Sequence, residues 1–107
     1  MIFSEQFKNR WLRFSLLEQM ANIGAEIGRA INWREKDREM STASLYRGLE
    51  LLDATIQDKK NKKSKLLELC RLREVLADYF CFGNIYGSSD QNLNNYFYVF
   101  NYAARLK

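Results

Sequence analysis

The feature that most restricts this chain is one it lacks: none of its 107 residues is proline, and only five are glycine. Proline removes a backbone donor and clashes with the preceding helical turn, so its absence leaves long windows free to be helical. An all-α fold is the expectation. A chain of this length suffices for one core and not for two, so residues 1–107 are read as a single helical domain. Hydrophobic residues at 47% against 28% charged are the balance of a packed chain rather than a disordered one.

Apolar spacing divides the chain into helices. Phe7, Trp11 and Phe14, four and three apart, predict a short amphipathic helix within 4–14 whose aromatics face a core, with Lys8, Arg10 and Arg13 solvated. Ser15 and Glu18 form a capping-box pattern, so a new helix is expected to start there and to run to about Lys36. Its core stripe is Leu16, Met20, Ile23, Ile27, Ala30 and Ile31. Beside it Ala21, Gly24, Ala25 and Gly28 form a small-residue strip that lets another helix approach closely. No strand precedes the glycines and their flanks are charged, so packing is preferred over a phosphate loop or a membrane-type contact.

Arg34 to Glu39 alternates in charge and is expected to be a solvated connection. Ser41 or Thr42 then caps a helix to about Gln57 with Leu45, Leu49, Leu52 and Ile56 inward and Arg47, Glu50 and Asp53 outward. After Asp58 comes Lys59-Lys60-Asn61-Lys62-Lys63-Ser64-Lys65, with Ser64 as a cap. The following helix carries Leu66, Leu69, Leu72, Leu76 and Tyr79 inward and Arg71, Glu74 and Asp78 outward, and it stops near Cys81. A glycine-containing turn follows, with Ser88 and Gln91 as a second capping box. The last helix, about Asp90 to Leu106, places Leu93, Phe97, Phe100 and Ala104 on one side. These segments predict a compact antiparallel four-helix bundle, up-down-up-down, with a short extra N-terminal helix.

Several chemistries are excluded by composition. The chain has no histidine, which removes the commonest general base and metal ligand at neutral pH, and with it a Glu-x-x-His di-iron bundle and a Ser-His or Cys-His nucleophile. Cys70 and Cys81 cannot complete a zinc site. Eleven helical positions also place them too far apart for a disulfide, so buried thiols are expected. No phosphate-loop or dinucleotide fingerprint occurs. Glu18 with Glu26, and Glu68 with Glu74 and Asp78, are the remaining acid–base candidates, and surface salt bridges are the simpler reading of them. No catalytic residue, metal site, cofactor or small-molecule substrate is inferred, and a non-enzymatic protein is expected. Without histidine the chain cannot be a cleaving ribonuclease of the HEPN class of helical bundles; a non-cleaving relative stays open.

Charge is concentrated rather than spread. Residues 59–80 carry seven basic and three acidic side chains, an excess equal to the +4 of the whole chain. Lys59, Lys60, Lys62, Lys63 and Lys65 at a helix–helix turn are therefore the candidate nucleic-acid-binding residues, with Lys8, Arg10 and Arg13 extending the patch and Tyr96, Tyr98 and Tyr102 as base-stacking surfaces. The alternative is a protein-interaction or self-assembly module. Aromatic residues make up 14% of the chain, more than a core of this size hides, which leaves Trp11, Trp33, Tyr98 and Tyr102 as candidate interface residues, in a homo-oligomer or with a nucleic-acid-processing partner. The N-terminus has no secretory-signal pattern and no window is apolar enough for a membrane span, so a cytoplasmic protein without membrane contact is expected.

Taken together, Asn22-Ile23-Gly24-Ala25-Glu26-Ile27 with Arg29-Ala30-Ile31 and Trp33, Leu49 to Asp53, Leu69 to Leu76 with Asp78-Tyr79-Phe80, and Tyr96-Phe97-Tyr98 with Tyr102 to Arg105 resemble a set of short, uncharacterised bacterial helical proteins. The resemblance spans roughly residues 16–105 and brings no activity and no functional residue with it. In layout, size and basic charge the chain is also similar to the bundle-forming accessory proteins of diversity-generating retroelements, which partner a reverse transcriptase and bind nucleic acid; that likeness is architectural and has no shared motif. Ala30 to Ile56 is similar to a tetratricopeptide hairpin, but one hairpin is not a repeat array.

Overall fold

Ser15 opens the central helix as its pattern requires. Its hydroxyl accepts the Glu18 N–H at 3.2 Å while the Glu18 carboxylate accepts the Ser15 N–H at 2.9 Å, so two otherwise orphaned donors are satisfied reciprocally. The computed structural model describes residues 5–61 and 63–106, with the side chains of Glu5 and Lys8 left out. Its helices are α1 (Glu5–Trp11), α2 (Leu16–Trp33), α3 (Arg38–Ile56), α4 (Lys63–Cys81) and α5 (Asp90–Arg105), and no strand occurs among the described residues.

The helix ends depart from the expected ones where a different side chain reaches the cap first. Asp37 accepts the Met40 N–H, so α3 begins at Arg38 and α2 stops at Trp33, short of Lys36. Ser41 is consequently not a cap. It lies buried inside α3 and donates its hydroxyl to the Ala30 carbonyl at 2.6 Å, bonding α3 to α2. Ser64 falls within the first turn of α4, which already starts at Lys63. Ser89, rather than Ser88, caps α5 by accepting the Asn92 N–H at 3.1 Å. α1 ends at Trp11, and Phe14 packs edge-on against the Trp11 ring from the following turn.

Cross-helix pairs establish the directions. Ala30 meets Ser41, Glu26 meets Arg47, and Gln19 meets Asp58, so partners descend α2 as they climb α3. Arg34 meets Asp90 while Gly24 lies against Phe97, so α5 is antiparallel to α2. Tyr79 meets Asp90 and Glu68 meets Tyr96, so α4 is antiparallel to α5. The result is the expected up-down-up-down bundle. Its Cα radius of gyration, 13.5 Å, is close to the roughly 13 Å of a compact chain of this length.

The core is drawn from all four long helices: Met20, Ile23, Ile27 and Ala30; Leu45, Leu49 and Leu52; Leu69, Leu72 and Leu76; Leu93 and Phe97. Burial of each leucine or isoleucine contributes about 1.5–3 kcal/mol, so truncating Leu52 or Leu76 to alanine is expected to cost about 2–5 kcal/mol. The small-residue strip does part of what its spacing implies. A Cβ on Gly24 would stand 2.8 Å from the Phe97 Cβ, so the α2–α5 contact requires glycine there. The close α2–α3 contact is made instead at Gly48, where a Cβ would lie 3.0 Å from Ile27 Cδ1.

Four side chains contradict one of the expectations above. Trp11 is buried, with its indole N–H donated to Thr55 Oγ1 at 3.1 Å, so it is a core residue and not an interface candidate. Cys70 and Cys81 are exposed and free, because they lie about 120–150° around α4 from its leucine stripe. Asp78 projects away from that stripe as its position implies, yet it is buried, because the chain after α4 folds back over it.

Candidate functional site

The basic turn is built on an aspartate. Asp58 follows α3, is almost wholly buried, and accepts three hydrogen bonds: from Gln19 Nε2 at 3.0 Å, from the Lys60 backbone N–H at 3.1 Å, and from the Lys60 ammonium. Burial pushes the Asp58 carboxyl up, but the bonds from the Lys60 ammonium, the Gln19 amide and the Lys60 N–H outweigh it and hold the group below the ordinary aspartate range. Asn61, also buried, donates to the Thr55 carbonyl at 2.8 Å. Thr55 in turn accepts from Trp11 and donates to the Leu51 carbonyl.

Lys60 therefore differs from the lysines around it. Besides Asp58, its ammonium donates to the Leu12 carbonyl at 3.1 Å, which fastens the α3–α4 turn to the connection between α1 and α2. Gln19 Nε2 strengthens the same corner by donating to the Trp11 carbonyl at 3.0 Å. Lys59 and Lys63 are exposed, and Lys65 is exposed with its ammonium 4.0 Å from Glu68. Lys62 lies outside the described residues, as does the side chain of Lys8.

Because α2 and α4 start, and α3 and α5 finish, at this end of the bundle, the exposed cations converge there. Arg10 and Arg13 of the α1 region line a shallow surface with Gln6 and Asn9, the Arg10 guanidinium lying over the Phe7 ring. They join Lys59, Lys63 and Lys65 at one end, with Arg105 at the finish of α5. The opposite end carries Glu35, Asp37, Glu39, Asp78 and Asp90 against Arg34, Lys36 and Arg38. There the Arg34 guanidinium lies over the rings of Tyr79 and Phe80 and donates to Asp90. The Asp90 carboxyl is held low by the Tyr79 hydroxyl and Arg34 against the opposing effect of burial.

The aromatic candidates divide. Trp33 is partly exposed at the end of α2, whereas Tyr98 and Tyr102 are well exposed on α5 and stack with ring centroids 6.2 Å apart. Tyr96 turns toward α4 and donates to Glu68 at 2.8 Å. Burial, and then that bond, push its phenol well above the usual tyrosine range, so it is not a free stacking surface. Among the described residues no group of three or more Cys, Asp or Glu is placed to hold a metal ion, and no helix is long and apolar enough to cross a membrane.

The Gln19–Asp58–Asn61 network is what the sequence reading missed. One signal was present: Gln19 stands four residues before Ile23, on the core side of α2, where a polar side chain has to find buried partners. Comparison of the chain with known protein families, curated proteins and solved structures yields no match.

Proposed function

We propose that the chain is a non-enzymatic accessory module that binds the phosphate backbone of nucleic acid with the basic end of its bundle. The observation that supports this reading most is the bond from the Lys60 ammonium to the Leu12 carbonyl, which brings the lysine turn beside the arginines of the α1 region. Cations separated by some fifty positions in sequence thereby act on one ligand. Lys63 and Lys65 also occupy the first turn of α4, where no acidic side chain offsets the positive end of the helix dipole. That placement is unfavourable for the helix alone and favourable once an anion is present.

In this reading Lys60 is a strut, while Arg10, Arg13, Lys59 and Lys63 contact phosphates. Four contacts imply a salt exponent of about 3, so affinity for a single- or double-stranded oligonucleotide is expected to fall about 50- to 150-fold between about 50 mM and about 200 mM salt. Fluorescence anisotropy on the full chain tests it. Lys59→Gln with Lys63→Gln should lower the exponent by nearly two without lowering the melting temperature. Absence of binding at low salt, or an exponent unmoved by the double variant, refutes the reading. A protein-interaction role is the second reading, favoured by the exposed Tyr98–Tyr102 pair.

A further inference from the structure

The side of the bundle formed by α2 and α5 has a chemistry unlike either end. From Gln19 to Ala25, and from Gln91 to Ala104, neither helix carries a charged side chain. The flanking Arg29 shares the Glu26 carboxylate, at 3.2 Å, with Arg47 of α3. Between the helices runs a groove of about 270 Å³ floored by Ala21, Gly24 and Ala25, with Asn94, Asn101 and Tyr98 on its α5 wall. Next to it the stacked Tyr98–Tyr102 pair and Val99 project from α5 into solvent.

Among the described residues none covers them. Gly28 adds to the case: a Cβ there would meet no atom within 4 Å, so the fold does not require a glycine that costs the helix about 1 kcal/mol relative to alanine. A backbone approaching from outside is what such a position permits. Gly24, where Phe97 already occupies the space, has no such surplus.

We propose that this face is occupied by a second copy of the chain, in a two-fold dimer that seats the Tyr98–Tyr102 ridge of each copy in the α2–α5 groove of the other. Three properties favour a copy over an unrelated partner. A two-fold contact needs groove and ridge on one surface, and both are here. The chain carries +4, so two copies associate most readily through the surface whose Gln19–Ala25 and Gln91–Ala104 segments hold no charged side chain, and a rim of asparagines can donate to and accept from its own image. Finally, α2 is about 27 Å long and two helices span about 20 Å, giving a projected area of about 500 Å², of the same order as the roughly 800 Å² each partner contributes to a standard interface.

The inference is independent of nucleic-acid binding, because the lysine turn lies at an end of the bundle and this face on its side. Sedimentation equilibrium of the full chain from about 1 µM to about 1 mM is the test. The mass is expected to rise from 12.7 kDa toward twice that value. Ala25→Glu, at an exposed position, should raise the dimer dissociation constant at least about 100-fold by burying an unpaired charge, with the helical circular dichroism unchanged. Tyr102→Ser should weaken the dimer without adding charge. A monomer throughout that range, a dimer that survives both variants, or a monomer that instead holds a different protein on this face overturns the proposal.

Discussion

Two connections of this bundle are closed by a buried aspartate, and they put it to opposite use. In the α3–α4 turn, Asp58 takes a lysine of its own turn as partner, and the turn displays the remaining lysines. In the α4–α5 connection, Asp78 accepts only backbone N–H groups, from Ile85 at 2.9 Å and Tyr86 at 3.1 Å, and the loop displays Phe82, Ile85 and Tyr86. Asn84 completes that loop with φ at 55°, its side-chain amide exchanging bonds with the Ser88 N–H and carbonyl. The charge of a segment is therefore not the charge it presents: the lysine turn uses part of its own internally, and the aspartate at the base of the other loop presents none.

The largest test of this contrast is Asp78→Ala. It strands two N–H groups beneath the loop, and a loss of about 3 kcal/mol is expected, which for a chain of this size lowers the melting temperature by about 12–20 °C in thermal circular dichroism. An effect under about 1 kcal/mol would mean that the loop is held by something other than Asp78.

Asp58→Asn is expected to cost less, about 2 kcal/mol, because the amide keeps the shape but loses the charge that Lys60 and Gln19 bond to. Denaturant unfolding across pH separates the electrostatic part. Asp58 is held below its unfolded value, as is Asp90, so each adds stability that is fully present above about pH 4 and is lost as pH falls through the folded value. The acid limb should flatten in Asp58→Asn and more so when Asp90→Asn is added. Asp78→Ala serves as the control for general destabilisation. An acid limb of wild-type slope in Asp58→Asn would show that the Lys60 pairing does not persist in solution.

The smallest expected effect has the opposite sign. Lys63→Glu replaces an unfavourable charge at the start of α4 by a favourable one and should stabilise the protein by about 0.5 kcal/mol in the absence of any anion, while weakening oligonucleotide binding. Loss of stability instead would assign Lys63 a structural bond of the kind Lys60 makes.

Much of the bundle was legible in the sequence. Ser15 and Glu18 mark their cap by local chemistry alone, and Leu69, Leu72 and Leu76 mark a face by spacing alone. What escaped depends on where the chain goes after a helix ends. Asp78 reads as solvent-facing from its position on α4 and becomes buried only because residues 82–86 fold over it. Trp11 reads both as a core aromatic by its helical spacing and as an interface candidate by aromatic excess, and Thr55, 44 positions away, decides for the core by supplying a partner for its indole. The lysine turn was legible as charge, but Lys60 was indistinguishable from its neighbours until Leu12 and Asp58 came within reach of it. Cys70 and Cys81 show that apolar neighbours in sequence do not imply burial when a helix turns its back on the core.

The seat of Phe97 on Gly24 also sets the order in which these helices can close on one another during synthesis. α2 and α3 emerge early and can close on each other through Ile27 and Gly48, but the other flank of α2 is covered by a helix some fifty residues further along. At about 5–20 residues per second that flank stays open for about 2.5–10 s while α4 and α5 are made. For that interval the nascent hairpin presents Gly24 without Phe97 seated on it, so α5 decides when that flank of α2 stops being sticky.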